Sequence, residues 1–180
     1  MPADRPAVFF DRDGTLIEEV NFCDDPSQVR AIPGASEALL RLSGAGFGLF
    51  IITNQSGIGR GYFTHEDFRR VQEEVLWQLK PAVIDATYFD DSTPEQPSER
   101  RKPSPKMVEE AAREHGIDLP RSFFVGDRTA DIQCGQQAGL RTVLVQTGYG
   151  QEHRACGADA VVPDIGFAVD WILQEAPCRK

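Results

Sequence analysis

Four short apolar runs, each ending abruptly in polar residues, constrain this chain more than any other feature. Ala7-Val8-Phe9-Phe10 stops at a charged turn, and Gly48-Leu49-Phe50-Ile51-Ile52 stops at Thr53-Asn54. Phe123-Phe124-Val125 stops at Gly126-Asp127, and Thr142-Val143-Leu144-Val145 at Gln146-Thr147-Gly148. Apolar residues at consecutive positions suit strands covered on both faces, because a strand with one wet face alternates instead. Between the runs lie helical patterns over 35–42, with Leu39 and Leu42 on one face, and over 64–79, 105–115 and 129–138. Thr64 followed by Glu66 and Asp67 reads as an N-cap with acids in the first turn, and Gly116 and Gly139 read as stops. Strand and helix therefore alternate, which predicts an α/β fold: a doubly wound parallel sheet with helices on both faces. Ligands bind such sheets beyond the carboxyl ends of the strands, so the polar residues that end the runs are the candidates for chemistry.

Two segments break the alternation. Residues 18–32 are long and polar, and are expected to form an extended loop or hairpin over the first strand end. Residues 90–104 hold three of the twelve prolines, which points to an irregular surface loop. A chain of 180 residues with 41% hydrophobic content suits one domain over 1–180, ending in a frayed tail at 175–180. That length leaves no room for a large cap domain, so a site at the strand ends is expected to be open or covered by 18–32.

Charge narrows the partners. Lys plus Arg is 19 against 28 for Asp plus Glu, a formal net charge of -9 that disfavours sequence-independent nucleic-acid binding and anionic membrane surfaces. No apolar stretch approaches a membrane span, and Met1 to Pro6 lacks the basic start and apolar run of a signal peptide. Cys23, Cys134, Cys156 and Cys178 lie far apart with no CxxC pair, as expected of reduced thiols in a cytoplasmic monomer without nucleic-acid or membrane partners.

The sharpest signal is Asp11-Arg12-Asp13-Gly14-Thr15, directly after the first run. Residues two apart on an extended chain point to one side, so Asp11 and Asp13 can face one site. Their repulsion calls for a cation or a bound proton, suggesting either Mg²⁺ with oxygen ligands or a nucleophile with an acid/base partner. An acidic strand-end turn is the plainer alternative. Thr53-Asn54-Gln55-Ser56-Gly57 offers a hydroxyl and accessible backbone N–H groups for a phosphate, or simply a capped turn. Gly126-Asp127-Arg128 with Asp131 supplies further carboxylates for a metal, or a cap for the next helix. Arg101-Lys102-Pro103 is either a pair of anion-binding cations or a solvated patch.

Taken in order, these four stretches resemble the four motifs of the haloacid dehalogenase superfamily of phosphatases, and the resemblance spans nearly the whole chain. The run from Thr53 through Arg60 to Thr64, together with Arg101-Lys102-Pro103, is similar to a subgroup of heptose bisphosphate and histidinol-phosphate phosphatases. The resemblance implies that Asp11 is the nucleophile, Asp13 the acid and base, and that Thr53 and Lys102 hold the transferring phosphoryl group. It implies Mg²⁺ at Asp11, Asp13 (through its backbone carbonyl) and Asp127. It also implies substrate contacts from Asn54, Gln55, Ser56, Arg60 and Arg101, with Arg101 on a second phosphate. The reaction so implied is Mg²⁺-dependent release of the 7-phosphate of D-glycero-D-manno-heptose 1,7-bisphosphate through an aspartyl phosphate. Histidinol phosphate and 3'-phosphorylated nucleic-acid ends are rival substrates, and a phosphate-accepting signalling receiver is the rival outside enzymes. Many members of the subgroup carry cysteines and a histidine in a zinc loop just before Arg-Lys-Pro. Residues 88–101 contain neither residue type, so zinc is not expected.

Overall fold

The computed structural model describes residues 5–96 and 98–176. Six parallel strands form one sheet in the order β3-β2-β1-β4-β5-β6. They are β1 (Ala7–Phe10), β2 (Gly48–Asn54), β3 (Ala86–Asp90), β4 (Phe123–Gly126), β5 (Arg141–Val145) and β6 (Ala160–Val162). The helices are α1 (Ala35–Gly44), α2 (Ser56–Gly59), α3 (His65–Gln78), α4 (Lys106–His115), α5 (Thr129–Gln137) and α6 (Ile165–Glu175). This is the doubly wound fold, without a large cap, that the alternation predicts.

The faces divide by strand periodicity. Val8, Phe10, Leu49, Ile51, Val125 and Val143 pack with Leu39 and Leu42 of α1, Val71 and Val75 of α3, and Val169 and Ile172 of α6. Ala7, Phe9, Phe50, Ile52 and Phe124 pack on the other face with Met107, Val108 and Ala111 of α4 and Cys134 of α5. Phe9 is in register with Phe50 on one side and Phe124 on the other, with ring centroids 5.4 and 6.4 Å apart. Each such buried ring contributes roughly 1.5–3 kcal/mol by leaving water, so the middle of the sheet is rigid where it must hold the site.

Local signals act as read at several boundaries. Thr64 accepts the Asp67 N–H while the Asp67 carboxylate accepts the Thr64 N–H, a full capping box for α3. Gly116 ends α4 in the left-handed region at φ 61°. Residues 18–32 leave the sheet as an excursion with a pinned neck: the Glu18 N–H reaches Arg30 O at 2.8 Å and the Ile32 N–H reaches Leu16 O at 2.9 Å. Gln78 fastens its return limb, accepting from Ala31 N at 2.8 Å and donating to Val29 O at 3.0 Å.

β3, β6 and α6 lie outside the sequence reading. β3 and β6 are the sheet edges; Thr87 interrupts the apolar residues of β3, and the three apolar residues of β6 are partly exposed between Asp159 and Pro163. α6 begins at Asp164, whose carboxylate accepts the N–H groups of Gly166 and Phe167. It continues into the tail expected at 175–180, where Glu175 meets Arg141 at 2.7 Å; residues 177–180 lie outside the described residues. No helix among the described residues is long and apolar enough to cross a membrane.

Candidate active site

Asp11 and Asp13 follow β1, Thr53 and Asn54 close β2, and Asp127 follows β4. Because β1 lies between β2 and β4, the three strand ends are adjacent. The loop between β3 and α4 adds Arg101 and Lys102, and the 18–32 excursion adds Glu19 to Cys23, closing a cavity of about 320 Å³.

Lys102 sits in the floor, 5% exposed, with each of its three ammonium protons assigned. It donates to Asp11 Oδ1 at 2.7 Å, Asp131 Oδ1 at 2.7 Å and Ile52 O at 2.8 Å. The Asn54 amide clamps the lysine's own peptide, accepting from Lys102 N at 3.0 Å and donating to Lys102 O at 3.1 Å. Asn54, expected to touch substrate, lines the cavity and bonds its amide to the Lys102 peptide. Asp131 caps α5, one of its two sequence readings, its Oδ2 accepting the Arg128 N–H at 2.9 Å, while its Oδ1 takes the lysine.

Asp13 is held from two sides. Arg12 donates to it in bidentate fashion, Nε to Oδ2 at 2.9 Å and Nη2 to Oδ1 at 3.0 Å. Gln55 Nε2 bridges Asp13 Oδ2 and Thr53 Oγ1, both at 2.9 Å, while Gln55 Oε1 accepts from Arg12 at 3.2 Å. Arg12 is 1% exposed, lies 5.4 Å over the Phe68 ring and also reaches Gln72. A guanidinium tolerates such burial only with paired, geometrically matched acceptors, which Asp13 and the two glutamines supply.

Asp11, Asp127 and Asp131 present oxygens that all lie within 4.8 Å of one another. Asp127 is fully buried; its Oδ2 accepts the Tyr149 N–H at 2.8 Å, while its Oδ1 has no hydrogen-bond partner. Burial, then Asp11 and Asp131, push its carboxyl up to about 9. Burial also raises Asp11, Lys102 opposing and Asp131 and Asp13 adding, since one ammonium cannot neutralise the surrounding carboxylates. For Lys102 burial works against the charge, but Asp11 and Asp131 outweigh it and raise its pKa. An orphaned buried acceptor among hard oxygen donors fits a hard divalent cation. Asp13, expected among the metal residues through its backbone carbonyl, has its carboxylate committed to Arg12 and Gln55.

A family model described as HAD-hydrolase-like matches residues 99–168. The D-glycero-D-manno-heptose-1,7-bisphosphate 7-phosphatase of Thermosynechococcus vestitus is 38% identical, covering 93% of this chain and 95% of the relative. The enzyme of the same name from Chlorobaculum tepidum is 37% identical, covering 87% and 86%. Among solved structures, D,D-heptose 1.7-bisphosphate phosphatase from B. bronchiseptica, complexed with magnesium and phosphate, superposes with a TM-score of 0.88 at 32% identity, covering 95% of this chain and 99% of that one. The chain belongs to the haloacid dehalogenase superfamily of phosphatases. It is a phosphoric monoester hydrolase.

The mouth of this phosphatase differs in charge from its floor. Arg101 and Arg128 line it with Ser56, Glu19, Phe22 and Tyr149. Arg128 lies 4.0 Å over the Tyr149 ring and 3.6 Å from Glu19, tying the excursion to the start of α5. Phe22, at φ 56°, meets Tyr62 edge-on with ring centroids 4.9 Å apart. Arg60, expected to touch substrate, is not among the cavity's lining residues and instead faces Glu95 at 3.6 Å. Arg12, Glu19, Arg128 and Tyr149 carry no assigned role in the sequence reading. For Arg12 the signal was present, a cation between two aspartates. Glu19 and Tyr149 arrive from irregular segments with no pattern to mark them.

Proposed function

We propose that this phosphatase releases the 7-phosphate of D-glycero-D-manno-heptose 1,7-bisphosphate, with Mg²⁺ and an aspartyl-phosphate intermediate on Asp11. The observation that carries the bisphosphate reading is the separation of two cations. Lys102 is consumed in the floor by Asp11 and Asp131, whereas Arg101 lines the same cavity with its guanidinium on a backbone oxygen, Ser92 O, at 2.7 Å. Among the described residues Arg101 has no ion-pair partner, so its charge is available to a second anion. The names of the relatives support the sugar.

In this reading a carboxylate oxygen of Asp11 forms a bond to phosphorus as the bond from phosphorus to the sugar oxygen breaks. Asp13 gives its proton to the departing sugar oxygen, then takes one from the water whose oxygen attacks the phosphoenzyme and frees Asp11. Thr53 donates to a phosphoryl oxygen, and Lys102, paired with the nucleophile Asp11, supplies positive charge beside it. Arg12 and Gln55 keep Asp13 in one orientation across both proton transfers. Asp11 and Asp127, with Asp131 beside them, would hold Mg²⁺, which when bound neutralises charge on the phosphoryl oxygens.

The test is phosphate release from the heptose 1,7-bisphosphate, heptose 7-phosphate, histidinol phosphate and 3'-phosphorylated DNA, with kcat/KM for each. The bisphosphate is expected to be hydrolysed most efficiently, with heptose 1-phosphate as product. A higher kcat/KM for histidinol phosphate or for the DNA end would overturn the assignment.

A further inference from the structure

The loop that carries Arg101 leaves β3 at Asp90 and is tied back to it. Asp90 is 6% exposed. Its Oδ1 accepts the Ser92 N–H at 3.0 Å and the Ser92 hydroxyl, and its Oδ2 accepts the Ser98 hydroxyl at 2.5 Å. The Asp90 carbonyl accepts the Gln55 N–H at 2.7 Å, which joins the root of the loop to the residue that holds Asp13. Ser98 gives its one hydroxyl proton to Asp90, leaving two lone pairs, and two donors meet them: Arg100 N at 3.1 Å and Arg101 N at 3.2 Å. The Arg101 guanidinium closes the circuit on Ser92 O at 2.7 Å.

One buried carboxylate thus fastens both limbs of the loop, and the Arg101 peptide hangs directly from it. Lys102 does not need this network, because Asn54, Asp11, Asp131 and Ile52 hold it independently. We infer that Asp90 and Ser98 are positioning residues that fix Arg101 for the substrate's second phosphate. The inference rests on the bisphosphate reading of Arg101. A hydrogen bond from a hydroxyl to a carboxylate is stronger than one between neutral groups, and holding a distant phosphate is binding shared by the ground and transition states, so the network's output is KM.

The experiment compares wild type, Ser98→Ala, Ser98→Thr, Arg101→Ala and the Ser98→Ala/Arg101→Ala double variant on the heptose bisphosphate and on p-nitrophenyl phosphate, which has no second phosphate. Ser98→Ala is expected to raise KM for the bisphosphate about fivefold, the loss of roughly one hydrogen bond, with kcat and the monoester kcat/KM within about twofold. Ser98→Thr, which keeps the hydroxyl, should restore KM. The double variant should be no worse on the bisphosphate than Arg101→Ala alone, since Ser98 acts through Arg101.

Multiplying losses in the double variant, or a Ser98→Ala enzyme with unchanged KM beside an impaired Arg101→Ala, would overturn the inference. If Arg101→Ala itself leaves the ratio of the two kcat/KM values unchanged, the second-phosphate reading falls instead. A separate measurement then decides the brace alone: trypsin cleavage after Arg100 and Arg101, followed by mass spectrometry well below the unfolding temperature. Ser98→Ala and Asp90→Asn should both speed that cleavage severalfold, and rates equal to wild type would remove the brace.

Discussion

Gly14 and Asp127 stand so close that a methyl group on the glycine α-carbon would overlap the carboxylate's Oδ2. Gly148 presses on the same oxygen from its own side, and Gly14 adopts φ 84°, where a side chain is strained. Two bare α-carbons from distant turns thus hold Asp127 against Asp11. Gly14→Ala is expected to cost about 1–2 kcal/mol of backbone strain and, by displacing Asp127, to lower kcat about a hundredfold. Steady-state kinetics with thermal unfolding of the same preparation would check it, and near-normal kcat would show that the contact does not position the carboxylate.

Lys102→Met removes the one ammonium among Asp11, Asp131 and Asp127. Turnover should vanish. Stability should fall by about 3 kcal/mol in the presence of chelator, because buried carboxylates lose their counter-ion. Denaturant titration with and without Mg²⁺ is the measurement; the loss should be smaller with the cation, which neutralises the same oxygens. A variant as stable as wild type in chelator would mean that the carboxylates are protonated together.

The raised pKa of Asp127 has a sign that can be tested. The folded chain keeps that proton up to about pH 9, whereas an unfolded Asp loses it near its ordinary value of 3.8. The folded state therefore binds more protons across that window, and stability falls as pH rises through it. A divalent cation replaces the proton and relieves the cost. The rise in melting temperature on adding Mg²⁺ should be larger at pH 8 than at pH 5, and equal rises would contradict a cation bound at Asp127.

Gln55→Leu separates positioning from substrate contact. Its amide joins Asp13 to Thr53, so its loss should lower kcat roughly tenfold or more while KM moves little. A raised KM with normal kcat would return Gln55 to the substrate-binding role first expected of it.

What could be read from the sequence follows burial. The four strands that announced themselves, Ala7 to Phe10 among them, are covered on both faces, and consecutive apolar residues are the mark of that environment. β3 and β6 face water at the sheet edges: Thr87 breaks the apolar residues of Ala86 to Asp90, and Ala160 to Val162 is a short apolar stretch hemmed in by Asp159 and Pro163. Asp164 before α6 is a cap signal carried by a single residue. In the site, Asp11, Thr53, Lys102 and Asp127 were legible because each ends a strand or closes a loop in a recognisable order. The partners that orient them were not: Arg12 meets Gln55 and Gln72, which lie 43 and 60 positions away, and only the fold brings them together.

The position of β1 between β2 and β4 has a consequence for the life of the chain. The pairing of Val8 with Phe123 and of Phe10 with Val125 closes more than a hundred residues of intervening sequence. Until that closure, Asp11 and Thr53 have neither Asp127 nor Asp131 in place. On the proposed roles of these aspartates, the nascent protein is expected to stay inert until β4 has docked, and a fragment ending before Asp127 is expected to hydrolyse no ester. On heating, the same long-range closure is expected to make loss of turnover coincide with loss of the sheet, which activity and circular dichroism followed through one melt would check.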